Sequence, residues 1–264
     1  MIYKDQLGRE VKLKEVPKRI ISLVPSQTEL LHDLGLEDEV VGITKFCIHP
    51  EEWFRIKKRV GGTKHLNIET IRALQPDLIL ANKEENVQEQ VEELATDYPV
   101  WVSDINTLGD ALEMIALVGI LVGRESKSQE IVTCLEQSFA PYTEAKDTGP
   151  RTAYLIWKDP YMSVGGDTFI NDLLKRAGFA NLFAHKDRYP EVTIEELKDR
   201  HCEVLLLSSE PYPFKQEHAE KLQAQLPGTT ILLVDGELFS WYGSRLRFTP
   251  AYFEQLRQQI ASIS

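Results

Sequence analysis

"RIISLVPSQTELLHDLG", residues 19–35, passes from a strand pattern into a helix pattern with only Pro25-Ser26-Gln27 between them. Residues 19–24 show no polar alternation, as expected of a strand covered on both faces in a parallel sheet. Pro25 ends the ladder because it has no amide proton to donate. Ser26 stands three residues before Glu29, the spacing of a capping box, which predicts a helix opening at Ser26 and running through Leu30, Leu31 and Leu34 to Gly35. A turn of this kind lies at the carboxyl edge of a sheet, where the ligands of open α/β sheets collect. A plain βα unit has the same pattern.

The alternation continues outward. Strands are predicted at 40–44, 77–81 and 100–102, with helices at 50–58, 68–74 (capped by Asn67) and 86–95 between them, hence a mostly parallel sheet. The first 13 residues, "MIYKDQLGREVKL", alternate around Gly8-Arg9 like a hairpin and contain no apolar core of a secretion signal. From 107 to 146 the alternation lapses into two consecutive helix patterns, the second over 125–146. That second helix would be roughly 33 Å long at 1.5 Å per residue, with Pro141 kinking or fraying its last turns. Strands resume at 151–156, 203–207 and 230–234. The expected organisation is therefore an α/β lobe over 1–107, a helical connector over 108–148 and a second α/β lobe over 149–264.

An internal echo respects that boundary. "IETIRALQPDLILANKEENVQEQVEEL" (68–94) resembles "TIEELKDRHCEVLLLSSEPYPFKQEHAEKL" (193–222), and Glu89 and Glu217 stand at matching positions, five residues before Leu94 and Leu222.

Of the 264 residues, 41 are acidic and 30 basic, a net charge of -11 that repels phosphate backbones and argues against a nucleic-acid partner. Cys47, Cys134 and Cys202 are isolated, so free buried thiols are expected rather than disulfides or a zinc knuckle. The longest apolar stretch, "ALEMIALVGILV" (111–122), is interrupted by Glu113 and falls short of the roughly 20 residues a membrane span requires. No nucleophile elbow, P-loop, dinucleotide fingerprint or zinc-protease motif is present. His49, His65 and His185 fall in predicted loops, where histidines are mostly solvated. The aromatic clusters "KDPYM" (158–162), "DRYPEV" (187–192) and "LFSWYGSR" (238–245) carry more information. Aromatics in loops suit a flat organic ligand, with core packing as the competing role, evenly balanced for Phe239.

Four stretches, "PKRIISLVPSQTELLHDLGLEDEVVGIT", "NIETIRALQPDLILAN", "SVGGDTFINDLLKRAGFANLF" and "RYPEVTIEEL", resemble the helical-backbone (class III) solute-binding proteins of ABC importers for cobalamin, ferric siderophores and haem. The resemblance runs in order along nearly the whole chain and is greatest to the cobalamin-binding branch. It implies two Rossmann-like lobes joined by a long backbone helix, little hinge motion, a ligand in the cleft between the lobes, and a monomer outside the cytoplasmic membrane with no intrinsic cofactor. It also implies that the PSQTE turn forms part of one cleft wall. Pro25, Phe46, Met162, Tyr189 and Phe239 fall where that branch places ligand contacts. Arg188, Trp241, Tyr242 and Arg245 join them from the loops that carry the aromatic clusters, with Tyr189, Trp241 and Tyr242 expected on the second lobe's side. The family docks its permease through one acidic residue per lobe, and the internal echo points to Glu89 and Glu217. The alternative is a cytoplasmic metal- or tetrapyrrole-handling enzyme of chelatase-like two-lobed fold, with His65 or Glu210 as general base.

Overall fold

The computed structural model describes residues 1–142 and 149–263, which divide into two compact units. The first comprises Met1–Ile105, Gly109–Leu135 and Tyr242–Arg245, and the second the remaining described residues.

The first unit opens with the expected hairpin, β1 (Ile2–Lys4) paired antiparallel with β2 (Glu10–Lys12). Then follow β3 (Ile20–Ser22), α1 (Pro25–Asp33), β4 (Val40–Ile43), α2 (Glu51–Ile56), β5 (Lys58–Arg59), α3 (Ile68–Leu74), β6 (Leu78–Asn82), α4 (Gln88–Ala95) and β7 (Val100–Ser103). The five strands form an all-parallel sheet in the order β5-β4-β3-β6-β7. Every residue of β3, β6 and β7 is buried, which explains why their sequences show no alternation. Asn67 caps α3 as expected, its side chain accepting from the Thr70 amide at 2.9 Å.

Helices α5 (Leu108–Leu121) and α6 (Glu125–Phe139) follow without a strand. The chain passes from the first unit to the second within α6, between Leu135 and Glu136. The α-helix ends at Phe139, short of the expected 146, and a 3-10 turn, Ala140–Tyr142, takes its place around Pro141, where proline removes a helical amide donor. The rest of that predicted helix lies outside the described residues.

The second unit contains β8 (Arg151–Leu155), α7 (Phe169–Arg176), β9 (Ala180–Asn181), α8 (Ile194–Asp199), β10 (Val204–Ser208), α9 (Gln216–Gln225), β11 (Thr230–Val234), α10 (Glu237–Ser240) and α11 (Thr249–Ile263). Its sheet is also wholly parallel, in the order β11-β10-β8-β9. The fold class is therefore α/β with two parallel-sheet units, and the order β7-β6-β3-β4 in the first corresponds to β11-β10-β8-β9 in the second. The two-residue strands β5 and β9 escaped sequence reading because they are too short to establish a pattern. Cys47 and Cys202 are buried and free, whereas Cys134, expected to be buried, is exposed on α6. Among the described residues no helix is long and apolar enough to cross a membrane.

Candidate functional site

In the first unit β3, β6 and β7 end in the polar residues Ser22, Asn82 and Ser103, which join a buried hydrogen-bond network with side chains of α1. Gln27 Nε2 donates to Ser103 Oγ at 2.7 Å, and Asn82 Nδ2 donates to the same oxygen at 3.0 Å. Asn82 Oδ1 accepts from the amides of Glu84 and Glu85, both at 2.9 Å, and Asn86 Oδ1 accepts from the Asn82 amide. Thr28 Oγ1 lies 2.8 Å from Ser22 Oγ and 3.0 Å from Cys47 Sγ, and burial pushes that thiol up. Such a network organises the loops at the carboxyl edge by satisfying their amides internally.

The turn that opened the sequence is built differently from expectation. Helix α1 starts one residue early, with Pro25 in its first turn, and Val24 makes no side-chain cap. Glu29 does not reach back to close a capping box. It accepts instead from Arg245, whose Nε and Nη2 donate to the two carboxylate oxygens at 2.8 and 3.0 Å. Segment 242–245 therefore lies on the first turn of α1. Gly243 permits this approach, since a Cβ there would fall 2.4 Å from the Ser26 carbonyl oxygen. Tyr242 is buried beside Ser26 and Ser103, and burial first, then the charge of Glu85, raises its phenol well above its ordinary range.

The structure separates the sequence-predicted residues into groups. In the first unit Pro25 is partly exposed, and Phe46 is 50% exposed with Lys45 Nζ 5.1 Å from its ring centre. Tyr242 and Arg245, read from the sequence as second-lobe residues, belong to the first unit, because the chain returns there after β11. In the second unit Met162 bridges Trp157 on one side and Glu191 on the other. Arg188 takes a left-handed backbone (φ 53°), donates its amide to Asp167 at 2.6 Å and lies over the Tyr189 ring. Phe239 is fully buried among Tyr154, Tyr252 and Phe253, with ring centres 5.3 to 6.2 Å away. Trp241 is buried, and its indole Nε1 donates to Glu210 Oε1 at 3.0 Å.

Glu210 also accepts from Ser240 Oγ at 2.6 Å, and burial raises its carboxyl above the ordinary range. It joins the loops after β10 and β11. Sequence reading missed Trp157, which is 41% exposed and borders the 158–162 aromatic stretch, and Tyr212, whose ring lies beside it in the fold. Their signal was their place just past β8 and β10. Glu89 and Glu217 are exposed, each the second residue of its helix, α4 and α9. Among the described residues no three His, Cys, Asp or Glu side chains gather so that they could hold a metal ion.

Residues 20–229 match the periplasmic binding protein family, and the chain belongs to that family. It is 28% identical over 204 residues to the uncharacterized ABC transporter substrate-binding lipoprotein YvrC of Bacillus subtilis (strain 168), a match covering 73% of this chain and 64% of that protein. It is also 28% identical over 198 residues to a vitamin B12-binding protein of Vibrio parahaemolyticus, covering 74% of this chain and 72% of the relative. The fold resembles the periplasmic heme-binding protein RhuT from Roseiflexus sp. RS-1 in apo form, with a TM-score of 0.78, 19% identity, and 92% and 99% of the two chains covered.

Proposed function

We propose that this substrate-binding protein of an ABC importer captures a metal-centred chelate, cobalamin or a ferric siderophore or haem, and delivers it to the permease. The observation that carries this reading is the exposure of large apolar side chains on loops that leave the carboxyl edges of parallel sheets, Phe46 after β4 and Trp157 after β8. Exposed aromatics at that edge offer broad contact to a ligand with a large flat face, at little cost in rotamer entropy. The ligand-contact set extends to Pro25, Met162, Arg188 and Tyr189. Trp241, Tyr242 and Arg245 support the loops through Glu210, Ser26 and Glu29. The chelate is cargo rather than a resident cofactor, and the protein works as a monomer in the periplasm or at the cell surface.

Permease docking uses Glu89 and Glu217, one exposed carboxylate in the first turn of each corresponding helix. The family relationship favours binding over catalysis, and Glu210, the candidate base of the enzyme alternative, is engaged by Ser240 and Trp241. Visible-absorbance and native-mass titrations against cyanocobalamin, haemin and several ferric siderophores test the reading. Stoichiometric capture of one of them without turnover is expected. Failure to bind any would leave only the family assignment.

A further inference from the structure

Trp157 and Tyr212 stand at the carboxyl ends of adjacent parallel strands, β8 and β10, in which Leu155 pairs with Leu207. Their rings meet edge to face with centres 5.8 Å apart. Tyr212 is fixed from beneath: its ring packs on the core formed by β8, β10, α8 and α9 and lies 4.8 Å from the Phe214 ring, and its amide donates to the Ile156 carbonyl at 3.2 Å. Trp157 keeps 41% of its surface exposed. The pair is thus half anchored and half presented.

The hydroxyl of Tyr212 has a defined polarity. The Lys215 backbone amide donates to His218 Nδ1 at 2.9 Å, so Nδ1 is an acceptor and the neutral imidazole carries its proton on Nε2. Nε2 lies 3.2 Å from the Tyr212 phenol oxygen, which it therefore serves as donor. The phenol accepts from His218 and retains its own proton to donate elsewhere, and the bond it receives makes it a better donor.

We propose that Trp157 and Tyr212 form a ligand contact of the second unit: the indole covers a flat apolar part of the carried chelate while the Tyr212 hydroxyl donates to a peripheral oxygen of it, a carboxylate or an amide carbonyl. The assignment rests on the chelate-binding function proposed above. A directional donor beside an exposed ring matches a small molecule that has both a flat face and oxygen acceptors. Glu217, 3.9 Å from His218 Nε2 and 63% exposed, raises the competing possibility that the same ledge meets the permease.

Affinities of the intact chain, Tyr212→Phe and Trp157→Ala for cyanocobalamin, haemin and ferrichrome separate these outcomes, with melting temperatures recorded alongside. Tyr212→Phe removes one oxygen and preserves the ring packing, so it should melt with the parent yet weaken the bound probe about tenfold or more, the effect of losing a hydrogen bond to a charged or strongly polar acceptor. Trp157→Ala should weaken it as well and abolish part of the tryptophan quenching on binding. If the parent binds a probe and Tyr212→Phe binds it equally well, the contact is refuted while the chelate-binding function stands. If uptake is then lost in cells although affinity is intact, the ledge belongs to the permease interface instead. Parent protein that binds none of the probes overturns both.

Discussion

Phe239 and Trp241 are two residues apart, and both looked like ring donors to a ligand. Their environments assign them other tasks. Phe239 has no exposed surface and three aromatic neighbours, Tyr154, Tyr252 and Phe253. Trp241 is held by the Glu210 carboxylate through its indole nitrogen. Phe239→Ala should therefore lower unfolding free energy by about 3–5 kcal/mol, the cost of emptying an aromatic site in a packed core. Urea denaturation checks this, and ligand affinity of the folded variant should change little. A loss of affinity at unchanged stability would return Phe239 to the binding site. Whether an aromatic is core or contact was not legible from its own stretch, because burial depends on partners such as Phe253, which arrive from α11.

Between elements, the loops that follow β10 and β11 are locked together. Gly236 donates its amide to Ser209 Oγ at 2.9 Å, Ser240 and Trp241 donate to Glu210, and a Cβ on Gly236 would lie 2.4 Å from Ser208 Oγ. Burial is the leading cause of the raised Glu210 carboxyl, with Glu237 and Asp235 adding to it and the bonds from Ser240 and Trp241 opposing it. Because the folded value lies above the unfolded one, the folded protein keeps this proton over a pH range in which the unfolded chain has lost it. The stabilisation is complete below the ordinary carboxylate pKa of about 4.3 and is lost as pH rises through the raised folded value. Glu210→Gln retains an acceptor oxygen and cannot titrate. The melting temperature of the parent relative to Glu210→Gln should therefore fall across that window as pH rises, as read by calorimetry. A difference independent of pH would show that the Glu210 carboxyl is not raised in the fold.

At the scale of the whole molecule, the internal echo corresponds to a shared strand order, and Glu89 and Glu217 occupy the same place in corresponding helices. Exposed carboxylates contribute little to folding, so reversing both charges should leave the melting temperature and ligand affinity close to the parent. Uptake in cells that depend on the importer should be abolished, as the docking role proposed for these two carboxylates requires. Normal uptake by the double variant would remove these residues from the docking surface.

The sequence by itself determined the α/β class, the parallel sheets, the repeat and the family. Each rests on information local in the chain: largely apolar runs in β3, β6 and β10, the Asn67 cap, and β/α alternation that repeats after residue 150. Tertiary structure alone decided where Glu29 and the segment 242–245 go. A Ser26–Glu29 capping box is a local possibility, but a bidentate guanidinium from Arg245, 216 residues away, satisfies both carboxylate oxygens, and the lack of a Cβ at Gly243 lets the segment approach closely enough. The polarity of Tyr212 was likewise beyond sequence reading. It depends on which nitrogen of His218 accepts the Lys215 amide, and only the folded first turn of α9 brings those atoms together.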